Sequence, residues 1–181
     1  IYSILSLQER RLPDESSRLA LNDARNRIHS MAALHRQLYE QKNFDQIDFE
    51  AYIEGMMDTI QDSMEKPETM VEIDWEIAPF HTDISRALSL GMILNELVSN
   101  VYKHAFKGRD RGHIMVRLAP LNDGEWQLSV QDNGVGLSKP IDWANVNSMG
   151  LLLVRQWVTK IRGQIDTQTD DGTTFLITFK S

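Results

Sequence analysis

Cysteine is absent from the 181 residues. Its absence excludes a disulfide framework and any zinc site built on thiolates. A reducing compartment is compatible with that count but does not follow from it. An excess of positive charge is missing too: 19 Lys and Arg stand against 26 Asp and Glu, a formal net charge of −7. Nucleic acid is therefore not the expected main partner, because binding a phosphate backbone needs a clustered basic surface. A single nucleotide is not excluded, since backbone N–H groups and one metal ion can hold it. No apolar run approaches the length of a membrane span. No signal peptide is visible, and there is no internal repeat or low-complexity segment. A cytoplasmic location without direct membrane contact is expected for this stretch, with tethering of a longer protein left open. The first residue is Ile1 rather than Met and the pattern there is already helical, so the chain reads as a fragment. What is present, 41% hydrophobic and 25% charged residues, is ordinary for a globular domain. The length allows one medium domain plus a helical attachment.

Residues 1–12 place Ile1, Leu5, Gln8 and Leu12 at heptad spacing, and Pro13 and Asp14 break the run. A long helix is predicted over 15–42, with Leu21, Ala24, Ile28, Met31, His35 and Leu38 at spacings of three and four. Two antiparallel helices with one apolar stripe each bury it poorly alone. A four-helix bundle made by two chains solves this, which predicts a homodimer through the N-terminal helices. The alternative is that the hairpin packs on its own chain. Residues 43–48 read as a linker ending in Asp48 as an N-cap. Phe49, Ile53, Met56, Ile60 and Met64 then mark an amphipathic helix that stops near Lys66-Pro67.

From residue 70 the pattern changes. Val71, Ile73, Trp75 and Ile77 alternate with Glu72, Asp74 and Glu76, as in a half-buried strand. A helix is predicted over 84–106, then strands over 113–119 and 126–131 joined by Asn122-Asp123-Gly124. An irregular loop covers 133–147, a helix 149–162, and strands near 164–169 and 173–179 are joined by Asp170-Asp171-Gly172. The order predicts an α+β chain: a helical hairpin over 1–44, then a two-layer α/β sandwich over 45–181 with helices on one face of a mixed sheet.

Four constellations carry chemistry. Glu96, Asn100 and Lys103 share one face of the 84–106 helix, with His104 beside them. An amide oxygen, a cation and a carboxylate suit a magnesium–polyphosphate, because Mg²⁺ takes hard oxygen ligands and keeps several waters. On the helix alone, the commoner reading is a solvated polar face. Asp132-Asn133-Gly134-Val135-Gly136 follows a strand directly; two glycines permit close backbone approach, and the carboxylate can accept from an exocyclic amine. By itself this could be an ordinary glycine turn. Ser148-Met149-Gly150-Leu151 opens a helix, where free N–H groups favour phosphate, or where Ser148 is simply an N-cap. Gly172-Thr173-Thr174-Phe175 leads into the last strand and alone is only a hairpin.

In this order and at these separations the four are specific. NELVSNVYKHAF (95–106), DNGVGL (132–137), SMGLLLV (148–154) and GTTF (172–175) resemble the Asn box and successive glycine boxes of the gyrase, heat-shock chaperone, histidine kinase and mismatch-repair ATPase superfamily. The Lys103-His104-Ala105-Phe106 ending resembles sensor histidine kinases of two-component systems in particular. RIHSMAALHRQLYEQ (27–41) and IDFEAYI (47–53) are similar to the second dimerisation helix and linker of the subgroup with an HHRVKNN-like phosphoacceptor box. Nearly the whole chain is covered.

The resemblance implies a Bergerat-type ATPase fold, ATP and Mg²⁺ as ligands, a homodimer, and a response-regulator receiver domain as partner. It implies that Asn100 binds Mg²⁺ and that Lys103 and His104 contact phosphates. Asp132 would accept from the adenine amine, with Thr173 assisting through a water. Gly134, Gly136 and Gly150 would shape the pocket and its lid, and Ser148 and Leu151 would join them in binding the nucleotide. Glu96 matches the position that activates water in the superfamily's ATPases, which makes it the candidate catalytic residue. Three positions depart from the pattern: Val101 stands where alanine is usual, Met149 rather than glycine precedes Gly150, and the lid between Gly136 and Ser148 is short. The phosphoacceptor histidine is expected just upstream of Ile1. Among the histidines present, His29 and His35 lie where the family has no acceptor. His81 and His113 read as surface residues, and no pair has metal-ligand spacing. The implied activity is that of an ATP-binding kinase domain that cannot phosphorylate itself as it stands. A serine-kinase or anti-sigma switch protein with the same site, and a non-catalytic dimeric scaffold, are the rival readings.

Overall fold

The computed structural model describes residues 14–39, 46–63, 69–122 and 124–180. The predicted helix over 1–12 and the Asp123 position of the hairpin turn lie outside them. Helix α1 spans Glu15–Tyr39. Strand β1 (Ile47–Asp48) and helix α2 (Phe49–Ser63) follow, then β2 (Met70–Ile77), β3 (His81–Thr82) and helix α3 (Ile84–His104). Strands β4 (Arg111–Asn122) and β5 (Glu125–Asp132) precede helix α4 (Met149–Lys160), and β6 (Gln164–Gln168) and β7 (Thr173–Lys180) close the chain.

Five strands form one sheet in the order β2-β4-β5-β7-β6. Only β2 and β4 run parallel; every other neighbour is antiparallel, so the sheet is mixed as predicted. Alternation decides its two faces. Ile73 and Ile77, Ile114, Val116 and Leu118, Leu128 and Val130, and Phe175, Ile177 and Phe179 all point into the core. The opposite face of β2 and β4 carries polar pairs, Arg117 Nε to Glu76 Oε2 at 2.7 Å and His113 Nε2 to Asp74 Oδ2 at 2.9 Å. Helices therefore cover one face and leave the other to water, the two-layer arrangement that alternating strands require.

Helix α3 is the centre of the helical layer. Asp83 caps it, accepting from Ser85 N–H at 2.9 Å and Arg86 N–H at 3.0 Å. Its buried stripe includes Ala87, Leu90, Leu94, Leu97, Val98 and Val101. Helix α2 reaches α3 closely because Gly91 has no side chain: a Cβ there would stand 2.9 Å from the Tyr52 ring. Asp48 caps α2 as expected, accepting from Glu50 N–H at 3.1 Å.

Three expectations need correction. The stretch 43–48 is not all linker: Ile47–Asp48 pairs with His81–Thr82 as a two-stranded sheet. Phe49 N–H then donates to the Phe80 carbonyl at 3.1 Å, locking the start of α2 to that bridge. Helix α3 ends at His104, so Ala105 and Phe106 are not its last turn; both are buried, Phe106 against Gly112 at the start of the next strand and Ala105 against Gly134. Strand β4 is longer than predicted at both ends, with a register shift between Pro120 and Asn122. Helix α1 packs on α2 and α3 of its own chain, with Leu38 fully buried and Met31 against the core.

Candidate functional site

The last strand turn before the 133–148 loop fixes the first group. Asp132 ends β5, where alternation turns its side chain inward, and it is 3% exposed. Its Oδ1 accepts from Gly134 N–H at 2.8 Å and from Thr173 N–H at 3.3 Å. β5 and β7 are paired in register, Asp132 opposite Thr173, so two segments 41 residues apart meet at one carboxylate. Burial holds the Asp132 carboxyl above its ordinary value. The N–H groups of Gly134 and Thr173, the Thr173 hydroxyl and the charge of Arg109 offset part of that rise.

The loop itself is held on both sides. Val135 N–H donates to the Ala105 carbonyl at 2.8 Å, which places Gly134 directly over Ala105. Asn133 Oδ1 accepts from His113 N–H at 2.8 Å, and Arg109 Nη1 donates to the Asn133 carbonyl. Further along, Trp143 Nε1 donates to Thr167 Oγ1 at 3.0 Å, and its ring meets Phe175 edge-on at 6.3 Å. Arg155 Nη1 donates to the carbonyls of Ala144 at 2.7 Å and Trp143 at 3.2 Å. Asp142 caps its own turn; the amide of Asn145 and the N–H of Ala144 keep its carboxyl below the ordinary value.

The second group gathers where α3 and α4 meet. Ser148 caps α4, accepting from Leu151 N–H at 3.4 Å. Gly150 begins the helix at a point of close approach. A Cβ there would lie 3.0 Å from Glu96 Oε2, 3.2 Å from Arg27 Nη2 and 3.5 Å from Asn100 Nδ2. The polar face of α3 is not uniformly solvated. Glu96 is 2% exposed and Asn100 half-buried, while Lys103 and His104 are exposed at its end. Arg27 Nε of α1 lies 3.5 Å from Glu96 Oε1.

Both groups open onto one cavity of about 660 Å³. Asn100, Lys103, His104, Asp132, Gly136, Ser148, Gly150, Leu151 and Thr173 all line it. That volume is within the range of small-molecule and cofactor sites. Two candidates do not line it. Gly134 acts from behind, as the donor that fixes Asp132, and Glu96 sits behind the wall against Arg27 and Gly150. The sequence reading missed Arg27, Ile28 and Met31 of α1 as lining residues, and Ile141 and Phe175 as apolar walls. Arg27 belongs to the helical segment RIHSMAALHRQLYEQ, but nothing in its spacing sets it apart from a solvated position. Among the described residues no group of three or more His, Asp or Glu could hold a metal ion. Any divalent ion here would take most of its ligands from phosphate and water, as Mg²⁺ does, with the Asn100 amide as the protein's oxygen. A neutral amide beside a glycine helix start is compatible with that role.

A buried carboxylate at a strand end, a glycine helix start facing an amide, and a deep cavity between them define a nucleotide-binding domain. Comparison with known proteins identifies the kind. Residues 85–181 match the family described as histidine kinase-, DNA gyrase B-, and HSP90-like ATPase, and residues 1–64 match a family described as histidine kinase. The chain is 27% identical over 183 residues to the nitrate/nitrite sensor protein NarX of Escherichia coli (strain K12), covering 98% of this chain and 28% of that protein. It is 28% identical over 165 residues to the sensor histidine kinase PdtaS of Mycolicibacterium smegmatis, covering 88% and 32%. The histidine kinase domain of the Erythrobacter litoralis EL346 blue-light activated histidine kinase has the same fold, with a TM-score of 0.72 at 18% identity over 98% of this chain and 93% of that one. The chain belongs to the histidine kinase-, DNA gyrase B-, and HSP90-like ATPase family, as an ATP-binding catalytic domain of the sensor histidine kinase kind. It spans roughly a quarter to a third of the length of the curated relatives it matches.

Proposed function

We propose that this chain is the ATP-binding part of a two-component sensor histidine kinase, with 1–44 contributing to a dimerisation hairpin and 45–181 forming the catalytic domain. One observation carries the reading: nine candidate residues from α3, α4, β5, β7 and the 133–148 loop line a single cavity. Asp132 accepts from the adenine amine, and Thr173 supports it. Asn100 supplies an oxygen to Mg²⁺, which would neutralise phosphate charge. Lys103 and His104 face the phosphates, and Ser148, Gly150 and Leu151 present the start of α4 to them. Catalysis in such a site is mostly positioning and charge neutralisation.

In the complete protein the bond between the γ-phosphorus and the β–γ bridging oxygen breaks. A phosphorus–nitrogen bond forms on a histidine, expected upstream of Ile1, and ADP leaves. The phosphoryl group then passes from nitrogen to an aspartate oxygen of a response-regulator receiver domain. Pairing of N-terminal helices from two copies would set the distance between the histidine and the nucleotide. A cytoplasmic location suits both the ATP supply and that partner, and no described helix is long and apolar enough to cross a membrane. The serine-kinase switch and the scaffold are less well supported, since relatives of both parts of the chain are histidine kinases.

Calorimetry with Mg·AMP-PNP tests the reading. The chain should bind with micromolar affinity, on the order of −8 kcal/mol, and Asn100→Ala should weaken binding at least tenfold in the presence of Mg²⁺. Equal and negligible heats for both would favour the scaffold instead.

A further inference from the structure

Helix α1 contributes more to the nucleotide cavity than a wall. Ala24, the pair Arg27-Ile28 and Met31 follow one another at spacings of three and four along the edge of the cavity. Three of them are apolar; the fourth brings a permanent cation to a site built for an anion. The Arg27 side chain is largely buried, 16% exposed. Its guanidinium spans two neighbours. Nε lies 3.5 Å from the buried Glu96 Oε1, and Nη2 lies beside Gly150 at the start of α4. Glu96 does not reach the cavity, whereas Arg27 does.

We infer that Arg27 is a phosphate-binding residue donated by the N-terminal helix, and that Glu96 is its positioning residue. The inference rests on the ATP-binding reading above and adds a residue and a coupling to it. A guanidinium offers five N–H donors in a fixed fork. With Nε 3.5 Å from Glu96 Oε1, Nη2 lies close to Gly150, beside Glu96 Oε2 and the Asn100 amide, at the end of the cavity where the polyphosphate would lie. A buried carboxylate behind the wall keeps that orientation without competing inside the cavity. The consequence is mechanical. Nucleotide binding energy depends on α1 being docked on the catalytic domain, so phosphate occupancy and the position of the dimerisation helix are linked. By thermodynamic reciprocity, the triphosphate must favour the docked arrangement by the same factor.

The test uses the full 181-residue chain and two probes: Mg·AMP-PNP by calorimetry and adenosine by ligand-observed NMR. Arg27→Gln keeps the first part of the aliphatic stem but removes the guanidinium and its charge, and Arg27→Lys keeps the charge without the fork. Arg27→Gln should weaken Mg·AMP-PNP about tenfold, the scale of one charge-assisted hydrogen-bonding group, while adenosine affinity stays within about twofold. Arg27→Lys should fall between. Glu96→Gln should weaken Mg·AMP-PNP in the parent chain but change it less than about twofold once Arg27→Gln is present, because coupled residues are not additive. Unchanged or tighter Mg·AMP-PNP binding by Arg27→Gln would overturn the inference while leaving the ATP reading intact. Equal losses for both probes would also overturn it, as the mark of a purely structural residue. No Mg·AMP-PNP binding by the parent chain would sink both readings together.

Discussion

Asp132 shows how one side chain joins fold and binding. It sits at a strand end with one oxygen holding the backbone of Gly134 and Thr173. Asp132→Asn keeps an oxygen for those two N–H groups but adds an amide donor facing the adenine amine. Leaving a donor unsatisfied costs roughly 1–3 kcal/mol, so ATP affinity should fall about 5- to 150-fold in calorimetry, with the fold retained. Stability should respond with a definite sign. Burial raises the folded carboxyl above its ordinary 3.8. Its contribution is therefore fully present below pH 3.8 and is lost as pH rises through the raised folded value. The stability of Asp132→Asn relative to the parent should accordingly improve from pH 4 to pH 7 in urea titrations. Loss of stability by Asp132→Asn relative to the parent as pH rises would contradict the burial account. Gly150 makes a second case. A methyl group there would crowd Glu96, Arg27 and Asn100 at 3.0–3.5 Å. Gly150→Ala should weaken Mg·AMP-PNP binding at least tenfold, and unaltered calorimetric affinity would remove Gly150 from the phosphate end.

At the scale of elements, legibility followed pattern length. β2, β5, α4, β6 and β7 lie within two residues of their predicted bounds, because a run of five or more residues with alternation or helical spacing, bounded by turn residues, outweighs local noise. Ser148 and Asp48 were readable as caps because cap chemistry is local. The β1–β3 pair was not, since two residues carry no period and their partner is far away in sequence. Burial of Glu96 was also hidden: a glutamate on a helix reads as solvated until another helix covers it. Gly91 was invisible for the same reason. Gly91→Ala would drive a methyl into the Tyr52 ring and should cost about 1–3 kcal/mol in urea unfolding. The lid offers a further check. Trp143 and Arg155 pin its second half to β6, β7 and α4. Trp143→Ala should speed amide exchange across 137–147 at least tenfold and leave β5 and β7 unaffected. Unchanged exchange would mean that the loop is held elsewhere.

For the whole molecule, the boxes readable in sequence are the ones folding must bring together. Asp132 and Thr173 meet because β5 pairs with β7, and Asn100 and Gly150 meet because α3 packs on α4. The cavity between these two junctions exists only in the assembled domain, which explains why each box alone is ambiguous. What the sequence reading lacked was α1, whose spacing reported a packing seam and not what the seam would cover. The chain should bind Mg·ATP yet incorporate no acid-labile phosphate, because the acceptor histidine is expected outside it; radiolabel retained on the chain would refute this. The central claim concerns where the nucleotide sits, and an amide-resolved NMR titration with Mg·AMP-PNP addresses it directly. The largest shifts should fall on Gly134, Gly136, Gly150, Leu151 and Thr173, with little change on the outer sheet face around Glu76 and Arg117. Shifts concentrated on that outer face, or none at all at saturating nucleotide, would contradict the account.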